Sequence, residues 1–161
     1  MSINIVLIEP EIPQNTGNIA RTCAATNIPL HLVKPYGFSI DDKQVKRAGL
    51  DYWHLVDVHE WESLDHFLEA NREATFRLVT TKGKNNYTEL DYPDHCFLLF
   101  GKETKGLPEE LLKKYPEKCI RIPMVEESRS LNLSNAAAIL AYEALRQQGF
   151  PGLKIEGTIP E

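Results

Sequence analysis

The sequence predicts an α/β domain with a mostly parallel sheet flanked by helices. Short apolar runs alternate along the chain with longer amphipathic stretches, as expected when crossover helices link parallel strands. The runs are uniformly apolar or rich in β-formers, which fits a sheet covered on both faces. No tract of low complexity or interdomain linker breaks the 161 residues, and 42% hydrophobic with 25% charged composition suits a globular chain.

The elements follow in order. Ile3–Ile8 is the first strand: it has no basic n-region and soon meets Glu9 and Pro10, so it does not read as a signal peptide. Two prolines, Pro10 and Pro13, stiffen the next loop, and a helix is expected over about Asn15–Thr26. Leu30–Val33 is the second strand. A helix over Ser63–Arg72 precedes a third strand at Phe76–Thr81, and Cys96–Phe100 is the fourth. Pro108 fits the first turn of a helix over Pro108–Lys114, where a missing N–H costs nothing. Cys119–Ile122 is the fifth strand, and Ser134–Gln148 the last helix, with Ser134 or a neighbour as its cap. The run Ala136–Tyr142 is apolar around most of that helix, which favours burial on more than one side and contact with a partner. Residues 1–150 are expected to form one domain, and 151–161, with Pro151, Gly152, Gly157 and Pro160, a flexible tail.

Composition narrows the function. No apolar run approaches the roughly 18 residues of a membrane span. Cys23, Cys96 and Cys119 are far apart and make no C-x-x-C pair, and the 5 histidines supply no H-E-x-x-H pattern. No metal site or disulfide framework is expected; buried thiols in a reducing cytoplasm are. The net charge of −5 argues against a polyanionic partner only weakly, because binding depends on where cations converge. Local clusters exist at Lys43, Lys46 and Arg47, at Lys82 and Lys84, and at Lys102 and Lys105.

Three strand-to-loop junctions carry the groups a ligand site needs, at the strand ends where α/β sheets bind ligands. The first is Glu9–Arg21; Asn18 and Arg21 are three apart and share a helical face. The second is Phe97–Pro108, with Gly101 and Gly106 five apart around a charged loop. It lacks the Lys and Ser/Thr of a Walker A loop, and no G-x-G-x-x-G occurs in the chain, so a nucleotide triphosphatase or dinucleotide enzyme is disfavoured. The third is Ile120–Asn135, where Ser128, Arg129, Ser130 and Asn132 crowd the approach to the last helix.

Taken together, N-T-G-N-I-A-R, F-G-x-E-x-x-G-L-P and I-P-M-x-x-x-S-R-S-L-N-L-S-N resemble, in order and spacing, the three motifs of the SPOUT class of RNA 2′-O-ribose methyltransferases. The chain is most similar to the minimal TrmL-type members, over residues 3–150, including P-Y-G-F-S-I-D-D-K and the G-L-D-Y segment Gly49–Tyr52. It departs from the family pattern at Lys102, Lys105 and Asn27; Asn is the substitute that best tolerates left-handed backbone.

The resemblance implies a deep C-terminal trefoil knot, which no general rule of chain connection predicts. It also implies a cytoplasmic homodimer packed through the first and last helices. The expected activity is methyl transfer from S-adenosylmethionine to the 2′-hydroxyl of nucleotide 34 of tRNA, cytidine or a modified uridine. Val79, Gly101, Ile122, Ser130 and Leu131 would bind the cofactor, Gly101 by close backbone approach. Arg21, Ser130 and Asn132 would form the catalytic set. A guanidinium stays protonated in proteins, so Arg21 suits an orienting and electrostatic role better than that of general base; Glu103 is a less favoured base. Two other readings stay open on sequence alone: a non-catalytic RNA- or cofactor-binding module, and a methyltransferase for a small metabolite. Methyl acceptance by tRNA separates them.

Overall fold

The computed structural model describes residues 3–39, 43, 47 and 50–161. Lys46, Ile40, Asp41, Asp42 and Gly49, named above in a basic cluster and in two family-like segments, lie outside them. Among the described residues the strands are β1 (Ile3–Ile8), β2 (Leu30–Val33), β3 (Val58–Trp61), β4 (Thr75–Val79), β5 (Asn85–Asn86), β6 (Cys96–Phe100) and β7 (Cys119–Arg121). The helices are α1 (Pro13–Thr26), α2 (Leu64–Ala70), α3 (Glu109–Lys114) and α4 (Leu133–Gln147), with 3₁₀ turns at Leu50–Leu55 and Pro116–Lys118. The strands form one sheet in the order β3-β2-β1-β6-β4-β7-β5, and every ladder is parallel.

Alternation along the strands builds two cores. Ile5, Leu7, Leu30, Leu32, Leu98 and Phe100 face α1 and α4, meeting Ile19, Ala20 and Cys23 of the first helix and Ala137, Leu140, Ala141 and Ala144 of the second. Val6, Ile8, Val33, Phe76, Leu78 and Leu99 face the other way, onto Phe67 of α2 and Leu107 and Leu111 near α3. Each large aliphatic side chain so buried contributes roughly 1.5–3 kcal/mol. β1, β2 and β6 are buried along their whole length, as strands covered on both faces must be.

Two strands escaped the sequence reading. β3 is an edge strand reading Val-His-Glu-Trp, with partly exposed side chains and no apolar run. β5 is two asparagines paired through backbone to β7. Helix α1 starts at Pro13, two residues before the expected point, because proline at the first helical position needs no partner for its nitrogen. Its end is as expected: Asn27 takes the left-handed conformation, φ 59°. Cys23, Cys96 and Cys119 are buried and free, and burial raises all three thiols, Cys96 to about 11.

β7 sits between β4 and β5, strands joined by one short connection. Gly83 lies in that connection, where a Cβ would come within 2.9 Å of the Ile120 carbonyl carbon, so only glycine lets it pass so close to β7. After α4, Phe150 and Leu153 pack against the core, while most later residues are exposed. Among the described residues no helix is long and apolar enough to cross a membrane, and no group of three or more ligating side chains stands ready for a metal ion.

Candidate active site

A cavity of about 530 Å³ opens beyond the carboxyl ends of β4, β6 and β7. Val79 closes one side at the end of β4, and Ile122 follows β7. Gly101 to Leu107 form a second wall, and Arg129 to Leu133 lead into α4 as a third. Six of the seven residues expected at the site therefore line one cavity: Val79, Gly101, Ile122, Ser130, Leu131 and Asn132. Arg21 does not line it; it is exposed on α1, beside the exposed Asn18 on the same helical face.

The three junction segments are joined by side-chain hydrogen bonds. The Asn132 amide nitrogen donates to Asn15 Oδ1 at 3.2 Å, and Asn15 Nδ2 donates to Glu103 Oε1 at 3.5 Å. Asn15 is buried, so its amide reports a fixed geometry rather than a surface encounter. Asn132 also caps α4: its Oδ1 accepts from the Ser134 amide at 2.9 Å and the Asn135 amide at 3.4 Å. The cap is thus Asn132, with the Ser134 hydroxyl donating to the same oxygen at 2.5 Å. The α4 amides beyond this cap give that wall of the cavity a positive edge.

Glu103 is a clamp. Its two carboxylate oxygens accept the backbone N–H groups of Glu11 at 2.9 Å and Ile12 at 3.1 Å, at the start of α1. Helix α1 has no side-chain cap from its own Ile12, and this carboxylate, supplied from the second junction, takes the N–H of that N-cap residue and of the residue before it. Such engagement speaks against the weaker expectation that Glu103 serves as a base. In return Glu11 accepts from Thr104, and that bonding holds its carboxyl below the usual range, the Thr104 amide being the main cause.

Gly101 is needed for a reason other than approach to a ligand. A Cβ there would stand 2.0 Å from the Gly106 carbonyl carbon and 2.1 Å from the Leu107 nitrogen. The loop folds back on itself, with Gly106 N–H donating to the Lys102 carbonyl at 2.7 Å and Gly106 at φ 71°. Sequence reasoning missed Asn15, Glu11 and Thr104 as site residues. The signal for Asn15 was its place in N-T-G-N at the head of a helix; nothing local marks the other two.

Three lysines and an arginine, Lys82, Lys102, Lys105 and Arg129, contribute to the cavity lining. Lys82 pairs with Glu109 at 2.9 Å, and Lys102 approaches Glu9 at 3.8 Å.

Known proteins resemble this chain in sequence and fold. The tRNA (cytidine(34)-2′-O)-methyltransferase of Escherichia coli strain K12 is 50% identical over 151 residues, covering 93% of this chain and 96% of its own. A solved structure described as giving insight into the 2-OH methylation of C/U34 on tRNA superposes with a TM-score of 0.87 at 46% identity, covering 92% of this chain and 97% of that one. The AdoMet-bound rRNA methyltransferase of Sinorhizobium meliloti gives a TM-score of 0.82 at 26% identity, covering 90% of this chain and 56% of the longer one. A sequence profile of the SpoU rRNA Methylase family matches residues 2–142, a span that holds all three junctions and the cavity between them, and the chain belongs to that family.

Proposed function

We propose that the protein transfers the methyl group of S-adenosylmethionine to the ribose 2′-hydroxyl of cytidine 34, the wobble nucleotide of tRNA. The observation that carries this reading is the Glu103–Asn15–Asn132 chain, which draws three distant segments into the walls of one cavity. The close relatives, with their tRNA nucleotide 34 chemistry, set the substrate.

The cavity suits the cofactor. Its volume of about 530 Å³ lies within the ~300–1,000 Å³ usual for small-molecule sites. Val79, Ile122 and Leu131 offer apolar wall, and Gly101 and Ser130 offer backbone and hydroxyl partners. When bound, the cofactor supplies an electrophilic methyl on a sulfonium. The chain's own task is to align the hydroxyl and favour loss of its proton. Asn132 and Ser130 hold the wall that faces the ribose, and Arg21 orients the sugar and its phosphate while stabilising charge that develops on the oxygen. Arg21 acts through its charge rather than as the base, and the proton released from the hydroxyl passes by way of the RNA phosphate to solvent.

The assembly belongs to the same reading. Two copies pack through α1 and α4, and Tyr142 on α4 and Ile12 before α1, 46% and 41% exposed in a single chain, support such a face. Arg21, outside the cavity of its own chain, then completes a site in the dimer. Residues 1–150 form the single catalytic domain, and 151–161 follow as a tail. The knot is part of this proposal too: the insertion of β7 between β4 and β5 supports a C-terminal segment threaded through the preceding connection.

Incubation with tritiated cofactor and either bulk tRNA or a metabolite extract tests the activity, with mass spectrometry locating the label. The expected result is one methyl on the ribose of nucleotide 34. Arg21→Ala should lower turnover about 100-fold or more while cofactor affinity stays within a few-fold. Label in metabolites alone, or near-normal turnover by the alanine variant, overturns the reading.

A further inference from the structure

A second contact runs opposite to the Glu103 clamp. Glu11 Oε1 accepts the Thr104 amide at 3.0 Å and the Thr104 hydroxyl at 2.8 Å, across 93 positions of sequence. Each carboxylate thus receives the backbone of the segment that carries the other. Bonds to an ionised acceptor are the stronger kind, and paired bonds fix orientation as well as distance. The two segments are not otherwise alike. Glu103 is partly shielded, whereas Thr104, Lys105 and Gly106 stand exposed at the tip of the cofactor-facing loop. Within the loop only the Lys102–Gly106 turn braces that tip. On the other side Glu11 stands one residue before the N-cap of α1, Ile12, and the backbone two residues earlier is held at φ 51° at Glu9, a left-handed setting that a non-glycine residue adopts only when its surroundings impose it.

We propose that Glu11 and Thr104 form a positioning latch, which holds the tip of the 101–106 loop against the start of α1 and so links filling of the cavity to the setting of the helix that bears Arg21. The inference rests on the reading that this cavity takes S-adenosylmethionine and that Arg21 on α1 meets the RNA. It goes beyond that reading in assigning Glu11, which is not among the residues lining this cavity, an energetic role. Linkage is reciprocal: if the latch couples the two sites, cofactor tightens tRNA binding and tRNA tightens cofactor binding by the same factor.

The test compares Glu11→Ala, Glu11→Gln and Thr104→Val with the wild-type chain. Without cofactor, amide hydrogen exchange in peptides covering residues 9–12 and 101–107 should rise about tenfold in Glu11→Ala. By calorimetry the S-adenosylmethionine Kd should rise about five- to tenfold, and at saturating cofactor kcat should fall about tenfold with the melting temperature little changed. Glutamine keeps the accepting oxygen, so Glu11→Gln should return exchange, Kd and kcat to within about threefold of wild type. Thr104→Val keeps the amide donor and loses the hydroxyl, and should lie between. The tightening of tRNA binding by cofactor, measured in the wild type, should vanish in Glu11→Ala. Wild-type exchange and affinity in Glu11→Ala overturn the latch, as does a Glu11→Gln variant as impaired as the alanine variant with an equal loss of melting temperature. A wild-type chain that binds cofactor but methylates no tRNA defeats the functional reading instead, and leaves the latch to be judged on exchange and calorimetry.

Discussion

His31 has both ring nitrogens committed. Trp61 Nε1 donates to its Nδ1 at 2.9 Å, so the proton sits on Nε2 and is given to Asn4 Oδ1 at 3.1 Å. The ring stacks on His59 at 4.8 Å and meets Phe67 and Phe97 edge-on. Burial, helped by the neighbouring His59, pulls its pKa from 6.5 down to about 4. A second proton would have to displace the Trp61 bond. Between those two values the unfolded chain binds the proton and the folded chain does not, so stability is present near neutrality and is lost as pH falls from about 6.5 towards 4. The loss is on the order of 2–3 kcal/mol at the lower end. Urea unfolding at pH 7, 6 and 5 should show the midpoint dropping steadily for the wild type. His31→Gln, which keeps a donor and an acceptor but cannot charge, should be less stable at pH 7 and flatter below it. Equal slopes for the two proteins would show that His31 is not the titrating group.

At the scale of the elements, Asn132 does two things that a single substitution can separate. It caps α4 through Oδ1 and reaches Asn15 through Nδ2. Serine preserves a capping oxygen but not the amide bridge, whereas alanine removes both; loss of such a cap costs about 1 kcal/mol. Asn132→Ser should therefore unfold in urea close to the wild type and Asn132→Ala about 1 kcal/mol earlier, while both lose methyl transfer to a similar extent. Activity in the serine variant equal to wild type would make Asn132 a cap alone. The elements also show what local sequence carries. The apolar runs of β1, β2 and β6 were legible because burial on both faces leaves no room for polar side chains. β3 and β5 were not, because an edge strand and a two-residue strand are specified by backbone pairing to a neighbour already in place. The site divides in the same way. Val79, Gly101, Ile122, Ser130, Leu131 and Asn132 could be placed because the family resemblance supplied them, and they share a cavity. The bonds from Glu103 to Glu11 and Ile12 span 92 and 91 positions, and no pattern of spacing announces a pair so distant.

For the whole molecule the open matter is how a chain of net charge −5 holds a polyanion. At distances beyond a Debye length, about 8–10 Å at physiological salt, the overall field is screened and neither attracts nor repels strongly. Affinity must then come from cations placed where phosphates lie, and Lys82, Lys102, Lys105 and Arg129 line one cavity. Two of them are already engaged by carboxylates, Lys82 with Glu109 and Lys102 with Glu9, which leaves Lys105 and Arg129 as the better candidates for phosphate contact. Each phosphate neutralised releases condensed counterion, so the logarithm of the tRNA association constant should fall linearly with the logarithm of salt concentration. Lys105→Gln and Arg129→Gln should each weaken binding about two- to tenfold and reduce that slope by about 0.7–0.9, and the double variant should lower it by about twice as much. S-adenosylmethionine affinity serves as the control for Arg129, whose neighbour Ser130 lines the same cavity. If the slope is unchanged while affinity falls, the two residues act on the shape of the loops rather than on phosphate. The cations that hold the RNA then lie elsewhere on the surface, with the exposed Lys43 and Arg47 next to be substituted.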